Sequence, residues 1–490
     1  MSAEPPALHV LLTGATGYVG GRLAPRLLAQ GCRLRVLARD PRRLQGRPWL
    51  AQAEVVPGDV LAPQSLAPAM QGIDVAYYMV HSMATGSDFD ERDLTAARSF
   101  SEAAAAAGVK QIIYLGGLGD PESNLSRHLR SRQLTGDALR EAGVPVTEFR
   151  AGVIVGSGGL SFEMIRYLTE RLPVIICPRW VFTRVQPIGI ADVLQYLLAA
   201  LQNPACQGKV IDIGGADVLT YKDMMLGYAD QRGLRRVFIP VPFMTPFLSS
   251  YWVHLITPVP AGIARFLIEG LRNEVVVQND LARRLFPNLL PMPYCTAVQR
   301  ALAKLDAGQV ETAWSDALFS SQGDAPAYYM RQEEGMIVER RLRVVRASPA
   351  DLFRVFSRLG GDKGYLTMDF AWWARGALDR LVGGVGMRRG RRDPDELRPG
   401  DAMDFWRVEA VEPDKLVRLR AEMKVPGRAW LQFESHALES GRSLLIQTAF
   451  FDPKGLFGLA YWYALYPIHA IIFGRMARGI SRLAEAGKLP

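Results

Sequence analysis

The run Thr13-Gly14-Ala15-Thr16-Gly17-Tyr18-Val19-Gly20 spaces three glycines as a pyrophosphate cradle requires. It follows the short apolar run His9–Leu12 and opens a stretch with helical spacing. Gly14 permits a tight turn, Gly17 lets backbone approach a phosphate, and Gly20 allows close helix–strand packing. The helix start then offers free N–H groups and positive dipole to the anion. With Thr13, Thr16 and Tyr18, these glycines form the candidate cofactor-binding loop. A dinucleotide with a free ribose 2′-hydroxyl wants a carboxylate after the second strand; here that strand ends in Leu37-Ala38-Arg39, with Arg42 and Arg43 beyond. Arg39 is placed to meet a 2′-phosphate, which favours NADP(H), although the adjacent Asp40 could serve NAD(H). Asp59, in the Gly58-Asp59-Val60 turn, is either an acceptor for the adenine amino group or a plain turn residue.

The elements that must position these residues are legible in the pattern. HVLLTG, LRVLAR, Ile73–Val80, QIIYLGG, VTEFRAGVIVG and VIDIGG read as buried strands. Helical stretches such as Gly20–Gln30 and Asp93–Ala107 lie between them, the latter stopping at Gly108. This alternation predicts an α/β, Rossmann-like doubly wound parallel sheet over residues 7–305. A proline-punctuated extension is expected from about Tyr221, and Asp306–Gln332 reads as a polar linker. Beyond it, over 333–490, come a capped helix at SPADLFRVFSRLGG, several alternating strands (DFWRVEAV, KLVRLRAEM, AWLQFESHAL, SLLIQTAFF) and a closing apolar helix, which describe an α+β domain.

TGATGYVG, the GDV turn and the later QPIGIADV run resemble the short-chain dehydrogenase/reductase superfamily. The likeness is to its atypical branch, similar to NmrA-like proteins and the complex I 39 kDa subunit. Enzymes of that superfamily usually carry a Ser after the fifth strand and a Tyr-x-x-x-Lys on the next helix. The pattern lets a phenol made acidic by an ammonium exchange a proton as hydride moves. This chain departs at all three positions. Gly116 or Gly117 stands at the Ser position, and His128 and Arg132 take the Tyr and Lys spacing. Two readings stay open. In one, a hydrophobic or quinone-like molecule is reduced, His128 donates the proton, and Arg132 holds the cofactor ribose or a substrate anion. In the other, the domain binds NADPH for sensing or structure without turnover. His81 and Ser82, after Tyr77-Tyr78-Met79-Val80, are further candidates because strand C-termini face the ligand crevice. Tyr77 itself reads as packing, and Gln186-Pro187-Ile188 with Asp192 as architecture.

RRGRRDPDELRPGDAMDFWRVEAVEP, AEMKVPGRAWLQFE and YWYALYPIH resemble a C-terminal domain of unknown function related to the START/polyketide-cyclase helix-grip fold. That likeness implies an apolar cavity for a hydrophobic small molecule, and leaves a membrane-peripheral lipid- or isoprenoid-binding role as a third reading. Trp372, Trp373, Trp406, Trp430, Trp462 and Tyr463 would either line the cavity or form a plain aromatic core. His469 reads as a satisfied core histidine, and Arg388, Arg389, Arg391 and Arg392 as a solvated basic turn or, alternatively, a contact for anionic lipid or substrate.

Composition bounds the remaining classes. The chain has 490 residues, 49% hydrophobic and 22% charged, which suits two or three globular domains. The net charge of +9 is not gathered into basic tails, and no nucleic-acid motif is present. Cys32, Cys177, Cys206 and Cys295 lack CxxC pairing, and the six histidines lack paired ligand spacing, so neither a disulfide framework nor a metal site is expected. The first residues do not read as a signal peptide, which suggests a cytoplasmic protein. Two uncharged stretches, Val237–Ala264 and Gly455–Gly474, reach spanning length. Five prolines break the first, and aromatic residues crowd the second. The expectation is burial or peripheral membrane contact rather than spanning. The sequence leaves the oligomeric state open.

Overall fold

A computed structural model describes residues 7–44, 47–80, 89–241, 249–250, 252–253, 256–257, 259, 261–306, 328–333, 336–381, 393, 395–438 and 441–489. The chain forms two compact units, Met1–Gly323 and Asp324–Pro490.

The first unit is built on seven parallel strands: β1 (His9–Thr13), β2 (Arg33–Ala38), β3 (Glu54–Pro57), β4 (Val75–Tyr78), β5 (Gln111–Gly117), β6 (Val146–Ala151) and β7 (Val210–Ile213). Their order is β7-β6-β5-β4-β1-β2-β3, so the strand order reverses at β1. The connecting helices include α1 (Gly20–Ala29), α2 (Phe89–Ala106), α3 (Arg127–Arg140), α4 (Leu160–Arg171) and α5 (Ile190–Ala199). Successive strand residues face opposite sides. Val10 and Leu12 therefore join Leu23, Leu27, Val193 and Leu197 from α1 and α5. Leu11 joins Ala97, Phe100, Ala138 and Leu139 from α2 and α3 on the other face. Helices on both faces are why β1 is an unbroken apolar run rather than an alternating one.

A second core of this unit gathers α4 with α6 (Tyr221–Gln231), α7 (Ala261–Gly270) and α8 (Tyr294–Asp306). The Gln186–Asp192 run ties this extension to the sheet. Gln186 donates to the Gly215 carbonyl at 2.7 Å and accepts from the Val277 N–H at 3.2 Å. Asp192 accepts from the Met292 N–H at 3.1 Å, and burial pushes its carboxyl pKa up.

The second unit holds a seven-stranded antiparallel sheet. Its strands are β8 (Tyr328–Glu333), β9 (Met336–Val345), β10 (Ala402–Met403), β11 (Trp406–Glu412), β12 (Leu416–Ala421), β13 (Gly427–Ala437) and β14 (Ser443–Pro453). They run in the order β8-β9-β14-β13-β12-β11-β10. Strand β8 begins within the stretch read from sequence as linker, because its residues pair along β9 from Tyr328↔Arg341 to Glu333↔Met336. Among the described residues three α-helices, α9 (Pro349–Phe356), α10 (Asp369–Leu381) and α11 (Gly455–Glu485), accompany the sheet. The Ser348 hydroxyl and Asp351 form a full capping box at the start of α9.

The core of this unit is aromatic. Trp372, Trp406 and Trp462 are buried with Phe356, Phe433, Phe451 and Phe473. Trp373 and Tyr463 instead stand exposed, and Trp430 bonds Glu409 through its indole N–H at 3.4 Å. His469 lies between Trp462 and Phe473, but its Nδ1 has no hydrogen-bond partner, so it is a core histidine that is not satisfied. Arg388, Arg389, Arg391 and Arg392 lie outside the described residues.

Candidate functional site

Each glycine of the TGATGYVG loop can be tested by what a side chain would strike. Gly14 has φ +70°, and a Cβ there would sit 2.4 Å from the Met79 carbonyl oxygen. A Cβ on Gly20 would meet the Gly14 carbonyl oxygen at 2.3 Å. The Gly17 N–H closes the turn onto that same carbonyl at 2.9 Å. Beneath the loop, the Thr13 hydroxyl donates to the Tyr77 carbonyl at 3.0 Å and accepts from the Met79 N–H at 3.0 Å. Helix α1 starts without a side-chain cap and without an acidic residue in its first turn. An uncapped helix start over a glycine cradle fits a dinucleotide pyrophosphate. Tyr18 lines the cavity and packs beside the loop. Arg22 stacks on its ring at 4.3 Å, and its hydroxyl fills the space beside Gly156 and Gly159.

The loop opens into a cavity of about 470 Å³ that runs along the C-terminal ends of the strands. Arg39, Asp40 and Asp59 line it on the β2–β3 side. Asp59 also shapes its own turn, accepting from the Leu61 N–H at 3.0 Å. Across β1, Gly116, Gly117, His128, Leu129 and Arg132 line the part where a nicotinamide ring would extend. Tyr221, Ile263, Leu267, Leu271 and Val275, all from the extension, form an apolar wall there.

The departures at the catalytic positions are built into the packing. A Cβ on Gly116 would lie 2.8 Å from Oε1 of Glu148, a fully buried carboxylate held by Arg140 and Arg150. A Cβ on Gly117 would lie 3.3 Å from the Arg132 Cβ. Arg132 places its guanidinium on the Leu115 carbonyl and 5.0 Å from the Tyr114 ring centre, while its own carbonyl accepts from the Tyr114 hydroxyl. Its charge is thus engaged at the edge of the cavity. His128 is half-buried on the first turn of α3 and lines the cavity beside it. Burial raises the Tyr221 phenol well above its ordinary pKa, so that hydroxyl stays protonated. Ser82 and His81 lie outside the described residues, so neither is placed relative to the cavity.

Among known proteins, residues 14–154 match a family described as NAD(P)H-binding. Ceramide reductase of Caulobacter vibrioides is 30% identical over 48% of this chain and 73% of its own length. The (4-alkanoyl-5-oxo-2,5-dihydrofuran-3-yl)methyl phosphate reductase of Streptomyces griseus is 31% identical over 44% and 70%. The chain belongs to the NmrA-like NAD(P)H-binding oxidoreductases. The fold agrees: an NADPH-dependent quinone oxidoreductase from Escherichia coli superposes with TM-score 0.50 at 19% identity, over 60% of this chain and 99% of its own. Residues 338–476 match a family described as protein of unknown function, DUF2867.

In this NmrA-like chain the glycine loop, Arg39, Asp59, His128 and Arg132 share one cavity. Sequence reading missed Arg92 on α2 and the apolar wall. The wall had a signal in the apolar spacing Ile263, Leu267, Leu271 along one helical face. Arg92 had none, since only the fold brings α2 over the cavity. No group of three potential metal ligands gathers among the described residues, and all four cysteines are free thiols.

Proposed function

We propose that the first unit uses NADPH to reduce a hydrophobic carbonyl or quinone-like molecule. The observation that carries this reading is a single cavity with Arg39 at one end and an apolar wall at the other. Arg39 suits a 2′-phosphate, and charge-assisted bonds of that kind are worth roughly 1.5–3 kcal/mol. The wall of Ile263, Leu267 and Leu271 suits a lipophilic substrate, as does the similarity to a reductase named for ceramide. When bound, the dihydronicotinamide supplies the hydride. The chain's part is to hold the pyrophosphate at α1, shield the reacting face from water and deliver a proton. His128 is the group suited to that last step, a half-buried imidazole on the cavity wall, imidazole being the side chain most often used for proton exchange in catalysis. Arg132 then acts by position, its guanidinium fixing the end of β5 against α3.

The close packing at Gly116 and Gly117 favours a second reading, NADPH binding without turnover, because the usual serine is excluded rather than merely missing. Titration with NADPH and NADH, followed by assay on a quinone panel, separates the two. The reductase reading expects Arg39→Ala to weaken NADPH binding about 10- to 100-fold with little change for NADH. It also expects His128→Ala to abolish turnover and spare binding. Tight NADPH binding with no turnover of any substrate would move the assignment to the non-catalytic reading.

For the second unit, a helix-grip arrangement holding a hydrophobic molecule is our reading of an antiparallel sheet packed against the long helix α11. Its support is the buried aromatic cluster of Trp372, Trp406, Trp462 and Phe473 between sheet and helix.

A further inference from the structure

The long helix α11 is 31 residues, and the two halves of its outward stripe differ in chemistry. Its inward face, Trp462, Phe473, Met476 and Ile480, belongs to the core of the second unit. Its outward stripe begins with Leu456, Phe457, Tyr463, Ile468 and Ile471, which are 39–75% exposed. At 100° per residue, Phe457, Ile468 and Ile471 fall on one line, and the same line continues through Arg475, Arg478 and Arg482. Those three arginines are exposed, and no ion pair engages them among the described residues. Lys454, also exposed, flanks the other end. Between Gly455 and Gly474 there is no charged residue at all.

Helix α10 adds to this surface. It lies against α11 through Arg375, 3.3 Å from the Tyr461 hydroxyl, and through Trp372, 6.4 Å from Phe473. On its own outer side Phe370 is 70% exposed and Trp373 is 64% exposed. An apolar band about 20 Å long, edged by aromatic rings and closed at both ends by cations, has the composition of a helix lying in a bilayer interface.

We propose that the outward face of α11, with Phe370 and Trp373 of α10, docks on the surface of an anionic lipid bilayer. The helix is long and apolar enough to cross a membrane, but doing so would strip Trp462, Phe473 and Met476 from the sheet. Lying flat keeps the core intact and places the arginines at headgroup level. The proposal stands independently of the reductase reading, because it concerns the second unit and needs no turnover.

The test is co-sedimentation of the full chain with phosphatidylcholine vesicles, with and without phosphatidylglycerol. Binding is expected with the anionic vesicles, weakening as salt rises. Arg475→Ser and Arg478→Ser should each weaken it about fivefold. Phe457→Ser combined with Ile471→Ser should weaken it about tenfold or more with unchanged thermal melting, since both residues are exposed. Brominated lipid should quench the wild-type protein, and the quenching should fall in Trp373→Phe. Absence of binding, equal binding to both vesicle types, or indifference to both sets of substitutions would overturn the proposal. So would a dimer, seen by light scattering and broken by the Phe457/Ile471 pair without vesicle binding, which would assign the face to a second copy.

Discussion

Glu148 shows how one residue decides what its neighbours can be. Its carboxylate is fully buried between β5, β6 and α3, where Arg140 and Arg150 hold it, so the space above Gly116 and Gly136 is already filled. Restoring the superfamily serine by Gly116→Ser should therefore lower stability by about 1–3 kcal/mol, the usual cost of overpacking, without raising reductase activity. A thermal melt beside a turnover assay reads both. His469 gives a pH prediction of definite sign. Burial is the main cause lowering its pKa to about 4, with the nearby Arg375 charge adding to it. The unfolded chain then takes up a proton at higher pH than the folded one. The second unit should lose stability as pH falls from about 6.5 to about 4, by at most ~3 kcal/mol. His469→Phe should remove that part of the slope in chemical denaturation series at several pH values.

At the scale of elements, helix starts do two different jobs in this protein. Helix α1 is left uncapped over the glycine loop, whereas α9 is closed by the reciprocal Ser348–Asp351 box at 3.1 and 3.3 Å. Only the second is a stability device. Ser348→Ala should cost about 1 kcal/mol, visible as a lowered denaturation midpoint, and leave nucleotide binding unchanged. This contrast was legible in sequence, because Ser-Pro-Ala-Asp announces a cap and Gly-Ala-Thr-Gly announces its absence. Six strands of the first sheet were equally legible as largely apolar, largely buried runs, whereas the edge strand β3, with Glu54 and Pro57 exposed, was not among them. Less legible was β8, whose residues Tyr328–Glu333 take their pairing from β9, itself held by distant β14, rather than from local pattern. The reason for glycine at positions 116 and 117 was invisible too, because the clashing atoms come from other elements.

For the whole molecule, two units with separate cores imply separable behaviour. Residues 7–306 expressed alone should bind NADPH as the full chain does, and residues 328–490 should fold alone with one cooperative transition. Loss of nucleotide affinity in the shorter chain, measured by fluorescence titration, would count against this. The cofactor half of the function was readable from sequence because phosphate binding depends on a contiguous loop. The substrate half was only partly so: the Ile263-Leu267-Leu271 spacing marks an apolar face, but only the fold brings that face, with Tyr221 and Val275, to the cavity.

The buried indoles of the second unit carry an optical consequence. The Nε1–H groups of Trp372, Trp406 and Trp462 have no hydrogen-bond partner and sit among aromatic and aliphatic side chains. Indoles in such surroundings fluoresce toward the blue, while exposed Trp373 emits toward the red. Trp49 is buried in the first unit as well, and the Trp180 Nε1–H is buried without a partner, so the blue component comes from both cores. Its red shift marks the opening of either, while reduced nicotinamide, glowing at longer wavelength still, marks occupancy of the cofactor cavity.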